Sequence, residues 1–247
     1  MTRRRFYVPR DSIQNTDAIL PDDQAHHLKD VLRIGTGEVV EIFDGAGNGY
    51  AGEVEIRNAA VIVRGLERLP SEYSGVRLML AAALIKPAKF EWMLQKATEL
   101  GVHEIIPLKT RLSEIQIAGK RIAFRLERWD RIVREASKQC RRFEAPRVHV
   151  PQSFFDFLES EAASECTKLL FSEKAQEPWR LDPSMLAGRV MVFIGPEGGW
   201  EDGEIERAKA AGCRILSLGP WILRTETAAI AAVSILQHQI HLSSSHA

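Results

Sequence analysis

The sequence predicts an α/β protein in which a small β-rich unit precedes a largely parallel sheet. The first seventy residues contain mostly short strand patterns separated by turns. From Val76 onward, apolar strand patterns alternate with helical ones, which is typical of a parallel sheet covered by helices on both faces. Near the C-terminus, two strand patterns each lead into a Gly-Pro loop, at Gly195 and at Gly219.

The N-terminal unit is predicted to contain one helix among several strands. Residues 21–33 begin with a proline, place apolar residues on one face and are followed by Gly35, as expected of a helix. Residues 70–75 are polar and turn-rich, and they form the predicted linker. Strands are predicted at residues 5–8, 38–43, 50–56 and 60–63, of which the last three form a small barrel or meander.

The C-terminal part is predicted to alternate between buried strands and amphipathic helices. One helical face runs through residues 90–97, and Gly101 ends that helix. A longer helix is predicted through residues 126–140, and further helices at residues 203–211 and after Thr225. The strands are predicted at residues 76–82, 104–108, 168–171, 190–194 and 214–218.

Composition argues against several classes of function. Lys and Arg together number 33, as do Asp and Glu, so bulk charge gives no argument for nucleic-acid binding. Three separated cysteines and seven histidines show no metal-ligand spacing, so neither a metal site nor a disulfide framework is expected. The N-terminus lacks an apolar signal region, and the longest apolar run, residues 228–235, is shorter than the ~20 residues that span a bilayer. We therefore expect a cytoplasmic protein without a metal and without membrane contact.

Residues 44–49, Asp-Gly-Ala-Gly-Asn-Gly, follow a strand and look like a nucleotide-binding glycine loop. The dinucleotide fingerprint requires glycine where Tyr50 stands and a helix after it, yet residues 50–56 alternate as a strand does. We therefore interpret the segment as a hairpin turn with Asn-Gly chemistry. The chain also lacks the P-loop signature, which argues against an oxidoreductase or a nucleotide hydrolase.

The two Gly-Pro loops are the strongest functional signal. Glycines at the carboxyl end of a parallel strand let the main chain approach a ligand closely, so two such loops predict one pocket for a small polar cofactor. Glu197 is the ionisable residue inside the first loop, where it is either a helix-capping acid or a group that orients a ligand. In the second loop, Thr225 is expected to cap a helix, and Arg224 is either a surface ion-pair partner or a residue of the cleft.

A basic helix provides candidate RNA contacts. On this helix, Glu127 and Arg131 form one i,i+4 pair of opposite charges, and Asp130 and Arg134 form another. Such pairs are typical of a solvent-exposed helix, so the charges of residues 127–134 do not by themselves indicate RNA binding. The end of the helix, residues 138–142, has no such pairs and indicates a phosphate-binding surface. His27 could contact RNA but could equally be an ordinary residue on a helix surface. Lys86 could be either a cation in a surface loop or a residue of the cleft.

The two loops also resemble those of a known family. Gly195-Pro-Glu-Gly-Gly199 together with Leu218-Gly-Pro-x-Ile-Leu-Arg-Thr-Glu-Thr-Ala228 resembles the SPOUT-class methyltransferases of the RsmE type. Trp221 stands where that family commonly has arginine, and Arg141 where it commonly has glycine. The similarity extends over nearly the whole chain, through residues 5–8, 26–33, 43–45, 86, 91–102, 139–140, 142 and 146.

The resemblance implies a fold, a reaction and partners. It implies a PUA-like β-barrel that binds RNA over residues 1–70, followed by a SPOUT methyltransferase domain over residues 76–247. The second domain would contain a C-terminal trefoil knot, hold S-adenosylmethionine and form a homodimer. The implied partner is 16S ribosomal RNA of the small ribosomal subunit, methylated at N3 of a uridine in the decoding region.

The resemblance and the basic segments together predict three groups of site residues. Arg224 is expected to stabilise negative charge on the base, and Glu226 or Glu197 to orient the base or accept its proton. The predicted cofactor-binding residues are Gly195, Pro196, Glu197, Gly198, Leu218, Gly219, Leu223, Thr225 and Ala228. The predicted RNA-binding residues are Arg5, His27, Arg33, Lys86, Lys138, Arg141 and Arg142.

Two alternatives remain open at this point. A non-catalytic RNA-binding ribosome-assembly factor is the first, because Trp221 replaces the arginine of the family. A SPOUT methyltransferase that acts on another rRNA or tRNA base is the second. Binding of S-adenosylmethionine separates an enzyme from the first alternative, and mapping of the methylated base tests the second.

Overall fold

The structure is a computed structural model, and it describes residues 3–58, 60–70, 75–113, 115, 120–175, 179 and 186–244. The chain divides into two compact units. The first contains Met1–Tyr73 and Arg134–Ala145, and the second contains Ser74–Val133 and Pro146–Ala247. Residues 71–74 of the predicted linker lie outside the described residues.

The first unit contains a mixed sheet and a short α-helix. Its elements are β1 (Arg5–Tyr7), β2 (Ile13–Gln14), β3 (Asp17–Ile19), α1 (Asp22–His26), β4 (Val39–Phe43), β5 (Gly49–Arg57) and β6 (Ala60–Arg68). The strands follow the order β1-β4-β5-β6-β3-β2, with β1 parallel to β4 and the other neighbours antiparallel. Buried side chains such as Phe6, Leu28 and Ile42 form its core. β2 and β3 were not predicted, because two or three residues are too few to show alternation.

The predicted helix at residues 21–33 consists of two different helical segments. α1 ends at His26, and His27–Val31 continue as a π-helical turn. The N–H of Leu32 donates to the carbonyl of His27 at 3.0 Å, which is the i→i+5 bond of that geometry. Arg33 has a φ of 54°, so a left-handed residue ends the helix before Gly35 is reached.

The glycine-rich segment is a hairpin loop, as predicted, but it is not an Asn-Gly turn. Asp44 Oδ1 accepts hydrogen bonds from the backbone N–H groups of Ala46 (2.8 Å) and Asn48 (3.0 Å), which closes a loop between β4 and β5. Gly49 lies within β5 instead, where a Cβ would be 2.2 Å from the ring of Phe143. Glycine is therefore required there for packing and not for a turn.

The second unit is built on a parallel sheet. Its elements are β7 (Arg77–Ala83), α2 (Pro87–Glu99), β8 (Glu104–Lys109), α3 (Lys120–Cys140), β9 (Arg147–Val148), β10 (Gln152–Ser153), α4 (Phe154–Leu158), α5 (Glu161–Ser164), β11 (Thr167–Phe171), β12 (Arg189–Ile194), α6 (Asp202–Ala210), β13 (Arg214–Leu216) and α7 (Thr225–Ser244). The strand order is β10-β8-β7-β12-β11-β13, with β9 also paired to β8, and these pairings are parallel. The predicted parallel sheet is confirmed. The last turns of α3 belong to the first unit, because Arg134–Ala145 is grouped there.

Both faces of the parallel sheet are buried. Successive side chains of β7 enter two different cores, since Leu80 belongs to the cluster of Trp129 and Met79 to that of Trp200. This is why the sheet strands are apolar along their whole length and do not alternate with polar residues. The short elements α4, α5, β9 and β10 were not predicted, because their two to five residues show no clear period.

In the part of the chain that the structure describes, no helix combines the length and the apolar character needed to span a bilayer.

Gly52 lies at a β-bulge of β5, where the register shifts between Ala51 and Glu53. A Cβ there would be 2.7 Å from the backbone carbonyl oxygen of Arg64, which cannot rotate away as a side chain could. We expect Gly52→Ala to lower the free energy of unfolding by about 1–3 kcal/mol. Gly203→Ala is the control, since a Cβ in α6 meets nothing within 4 Å and should be neutral or stabilising. Denaturant unfolding checks this, and equal stability of the two variants would contradict it.

Candidate functional site

Two loops lie side by side at the carboxyl edge of the parallel sheet. The first follows β12 and begins at Gly195, and the second follows β13 and begins at Ser217. β11 pairs with both strands, so all three strand ends open at the same edge. One cleft is lined by residues that follow each strand. Of the predicted cofactor-binding residues, its lining includes Gly195, Pro196, Leu218, Gly219, Leu223, Thr225 and Ala228.

The cleft lining differs from the prediction in two ways. Glu197 and Gly198 belong to the first loop but are not part of the lining. Phe171, Ser172 and Glu173, at the end of β11, do line the cleft and were not predicted. They carry no motif, so only the strand order, with β11 between β12 and β13, indicates them.

The cleft is shallow, with a volume of about 70 Å³. Its outer wall contains large apolar side chains that face solvent, since Trp221 is 80% exposed and Ile222 is 86% exposed. Pockets that enclose small-molecule ligands have volumes of roughly 300 Å³ or more. The cleft would therefore not fully enclose a ligand of that size.

A buried tryptophan packs against the first loop. Trp200 is 1% exposed, and its indole N–H donates to the carbonyl of Phe171 at 3.0 Å. A Cβ on Gly195 would be 2.9 Å from the indole nitrogen, so the loop passes the ring with no room for a side chain. Gly199 has a φ of 73°, which reverses the chain between the loop and this tryptophan.

Glu197 is not the cap of the helix that follows it. α6 is capped by Glu201 and Glu204 in a reciprocal capping box, in which each side chain accepts a backbone hydrogen bond. Glu204 is 1% exposed and also accepts from the N–H of Arg111 at 3.0 Å. Glu197 is thus free of the capping role and forms an ion pair instead.

That ion pair belongs to a cluster of charged side chains around the two loops. The ammonium of Lys89 contacts the Glu197 carboxylate and lies 3.8 Å from Glu226 Oε1. The hydrogen bond from Lys89 lowers the pKa of Glu197, and the charges of Lys86 and Arg224 act in the same direction. The same hydrogen bond raises the pKa of Lys89. Opposite charges from three segments are therefore held together.

Lys89 is the residue of this cluster that the sequence analysis missed. It lies in the first turn of α2, after Lys86 and Pro87, and carries no motif of its own. Lys86, which was predicted, is exposed and borders a small hollow next to Pro196 and Glu197. The fold alone brings Lys89 to the loops, because α2 follows β7 and β7 pairs with β12.

Two polar atoms at the start of α7 are buried and have no hydrogen-bond partner among the described residues. They are Thr225 Oγ1 and Glu226 Oε2. The prediction that Thr225 caps α7 is wrong, because this hydroxyl accepts no hydrogen bond from the helix. A buried polar atom without a partner costs about 1–3 kcal/mol, so these two groups suit hydrogen bonds to something outside the chain.

Arg5 is predicted to contact RNA, and the structure pairs it within the first unit. Its Nε and Nη2 donate to Glu41 Oε2 at 3.1 and 2.7 Å, with both side chains about nine-tenths buried. Its guanidinium also lies 4.4 Å from the centre of the Phe143 ring. Arg141 Nη2 donates to the same carboxylate at 3.0 Å but remains about half exposed. Two arginines thus share one glutamate, and Arg141 is the one that faces solvent.

Lys138 and His27 also lie close together in the first unit. Lys138 Nζ donates to Gln24 Oε1 at 3.3 Å and lies 5.3 Å from the centre of the Phe6 ring. The expectation that this helix end is unpaired is therefore wrong. His27 is partly buried, and this burial together with the charge of Lys138 lowers the pKa of His27.

These residues border an open groove of about 380 Å³ in the first unit. Arg33 and Arg142 are not part of its lining; Arg33 is exposed and Arg142 is partly buried. The lining consists of Arg3, Arg4, Arg5, His27, Leu32, Glu135, Lys138, Gln139 and Arg141. The concentration of cations makes the groove suited to an anion such as a phosphate.

In the described part of the chain, no group of three or more His, Cys, Asp or Glu side chains is arranged to hold a metal ion.

Comparison with known proteins identifies the family. The sequence matches the RNA methyltransferase domain over residues 72–237 and the RNA methyltransferase PUA domain over residues 20–63. The ribosomal RNA small subunit methyltransferase E of Synechocystis is 34% identical, over 93% of this chain and 76% of its own length. The chain belongs to this methyltransferase family. The resemblance found in the sequence is thus confirmed.

Further relatives of the methyltransferase agree in sequence and in structure. The enzyme of the same name from Bacillus subtilis is 29% identical over 89% of each chain. The crystal structure of ribosomal RNA small subunit methyltransferase E from Neisseria gonorrhoeae, bound to S-adenosyl methionine, is 29% identical with a TM-score of 0.86. That match covers 96% of this chain and 98% of the other.

Removing the unpartnered hydroxyl of Thr225 should not destabilise the ligand-free methyltransferase. Valine has nearly the same shape, so Thr225→Val removes a buried polar atom that has no partner and should leave the melting temperature unchanged or raise it. Thr98→Val is the matched control, because the Thr98 hydroxyl donates to the Leu94 carbonyl at 2.7 Å. The control should lose about 1 kcal/mol. Calorimetric melting compares the two, and an equal loss in both would show that the Thr225 hydroxyl has a partner within the protein.

Proposed function

We propose that this enzyme transfers the methyl group of S-adenosylmethionine to N3 of a uridine in 16S rRNA. The observation that carries the proposal is the single cleft that both Gly-Pro loops form at the carboxyl edge of the sheet. Family membership supports the reaction class, and the Neisseria relative was solved with S-adenosyl methionine bound. The N3 atom and the decoding region rest on the resemblance to the RsmE type.

The residues of the cleft suit S-adenosylmethionine. Gly195 and Gly219 offer main-chain groups with no side chain in the way. Leu223 and Ala228 supply apolar contacts of the kind that an adenine ring needs. The hydroxyl of Thr225 is buried at the cleft without a partner, and a polar group of the cofactor would satisfy it.

The reaction requires the protein mainly to align the methyl donor with the acceptor base and to stabilise the negative charge that develops on that base. S-Adenosylmethionine supplies an already activated methyl group, so the chain has to hold donor and acceptor in line. Uridine N3 is an imide nitrogen that must lose a proton, which leaves negative charge on the base. Arg224, exposed beside the cleft, is the cation we assign to that charge. The base has to be unpaired, because pairing hides N3.

The two predicted domains divide the work between RNA binding and catalysis. We assign residues 1–70 to a PUA-like RNA-binding domain and residues 76–247 to the methyltransferase domain. The PUA match over residues 20–63 and the cationic groove of the first unit support the former. Contacts to phosphates position an RNA without reading its sequence. The residues assigned to them are Arg5, His27, Arg33, Lys86, Lys138, Arg141 and Arg142.

The remaining features of the proposal concern fold detail and assembly. We assign the second domain to the SPOUT type, with a C-terminal trefoil knot, and the active form to a homodimer. Large apolar side chains that face solvent support an assembly, since a second copy would cover them. They include Trp221 and Ile222 beside the cleft and Ile235 and Leu242 on α7. A substrate in the small ribosomal subunit implies action in the cytoplasm.

Incubation with labelled S-adenosylmethionine and either 30S subunits or bare 16S rRNA tests the function. We expect label on a single uridine, at N3, when the modified nucleotide is mapped by mass spectrometry. Label on another base of the 16S rRNA would overturn the assigned target but not the reaction class. No detectable binding of S-adenosylmethionine in a calorimetric titration would favour a non-catalytic assembly factor.

Arg224→Ala should reduce turnover while leaving cofactor affinity nearly intact, because Arg224 is exposed and is not part of the cleft lining. Loss of one group that stabilises developing charge costs about 100-fold or more in rate. Single-turnover methylation and calorimetric cofactor titration measure the two quantities. Arg128→Ala is the control, since Arg128 pairs with Glu91 on the helices. Equal losses of rate and affinity in Arg224→Ala would mean that Arg224 builds the pocket.

A further inference from the structure

We propose that Glu226 accepts the N3 proton of the target uridine, and that Lys89 positions its carboxylate. The inference rests on the proposed function and assigns roles that the sequence left open between two glutamates. The charged groups around Lys89 and its two carboxylate partners come from three segments. They are Lys86 and Lys89 at the start of α2, Glu197 in the loop after β12, and Arg224 just before α7.

Glu226 combines a position beside the cleft with an unused acceptor. It follows Thr225, which lines the cleft, and its side chain is only 13% exposed. Oε1 lies 3.8 Å from the ammonium of Lys89, whereas Oε2 is buried with no donor among the described residues. A carboxylate oxygen in that state is costly unless a donor reaches it. The N3–H of a bound uracil is such a donor, and it is the group whose proton must leave.

A hydrogen-bonded helix cap does not explain the buried oxygen of Glu226. Acidic residues are common in the first turn of a helix, where they accept hydrogen bonds from free backbone N–H groups. Glu226 is in the first turn of α7, but its Oε2 accepts no such bond and is buried away from water. A helix-stabilising acid would use this oxygen or expose it.

Glu197 is the less suitable acceptor of the two. Its side chain is 34% exposed, and its carboxylate is held by Lys89. That contact lowers the pKa of Glu197, which makes the carboxylate a weaker base. Glu197 therefore fixes Lys89 from the side of the first loop, and it is a positioning residue in this arrangement.

Lys89 links the two carboxylates and gives them different roles. Its ammonium contacts Glu197 directly and lies within ion-pair distance of Glu226. It also restrains the Glu226 side chain through Oε1 and leaves Oε2 for the base.

The step balances in atoms and charge. The N3–H bond breaks, and its proton goes to Glu226 Oε2. The electron pair left on N3 forms the bond to the methyl carbon, and the electrons of the methyl–sulfur bond stay on sulfur as a neutral thioether. A sulfonium and a carboxylate thus become a thioether and a carboxylic acid, and the acid loses its proton before the next turnover.

Glu226→Gln tests the assignment directly. With saturating cofactor and the RNA that the parent methylates, we expect the single-turnover rate to fall by about 10²–10⁴. Cofactor affinity, measured by calorimetry, should stay within about threefold, because Glu226 is not part of the cleft lining. Glu99→Gln is the matched control, since Glu99 pairs with Lys96 on α2. A rate within tenfold of the parent, or a parallel loss of cofactor affinity, would overturn the assignment.

Lys89→Met tests the positioning role by comparing the rate with the cofactor affinity. Without the ammonium, Glu226 Oε1 loses its ion pair, so the single-turnover rate should fall about tenfold or more while cofactor affinity stays within about threefold. Lys89→Arg retains the charge and should restore most of the parent rate. Lys96→Met is the control, because it removes a comparable ion pair of the same helix. A parent-like rate in Lys89→Met, or a parallel loss of cofactor affinity, would overturn the role of Lys89.

A binding measurement separates the inference from the proposed function without relying on turnover. The parent should bind an RNA oligonucleotide that contains uridine about tenfold more tightly than the same oligonucleotide with 3-methyluridine, which lacks the N–H donor. Glu226→Ala should lose this preference. Equal affinities in the parent, or a preference that persists in the variant, would overturn the inference. Absence of N3 methylation by the parent, on subunits and on bare rRNA alike, would overturn the proposed function itself.

Discussion

The parallel pairing of β12, β11 and β13 is the constraint on which the candidate site depends. Because β11 lies between the other two strands and runs in the same direction, their carboxyl ends open at one edge. The loops that begin at Gly195 and Ser217 are therefore neighbours although about twenty residues separate them. An antiparallel β13 would place the second loop at the opposite edge, and no cleft would form. The glycines only make use of a proximity that the strand order creates.

Electrostatics acts locally in this protein. The numbers of basic and acidic residues are equal, so no long-range field draws the protein to RNA. In the first unit, two arginines share the carboxylate of Glu41, which leaves one positive charge in excess at that point. Around the loops, the cations Lys86, Lys89 and Arg224 lie near the carboxylates of Glu197 and Glu226, which leaves one positive charge in excess there as well. Each site thus has a local excess of positive charge, although the chain as a whole has none.

The sequence predicted the main elements well but the detailed contacts poorly, for physical reasons. The strands of the parallel sheet and the helix through Ala97 have clear periods, and the structure contains them. Thr225 was expected to cap a helix because its residue type favours caps, yet its side chain turns inward and stays unpartnered. Lys89 was missed because an isolated lysine carries no pattern. Side-chain partners such as Glu197 for Lys89 depend on packing between segments that are distant in sequence.

The start of α7 would connect the two halves of the proposed reaction. Thr225 and Glu226 are consecutive, and each has a buried oxygen without a partner. The first lines the cleft assigned to the cofactor, and the second lies beside Lys89. Because one helix turn fixes both residues, a ligand that orders this turn also sets the position of Glu226. Binding of the methyl donor would therefore favour the arrangement that receives the proton, and the free energy spent in burying two unsatisfied atoms is regained only when both substrates are present.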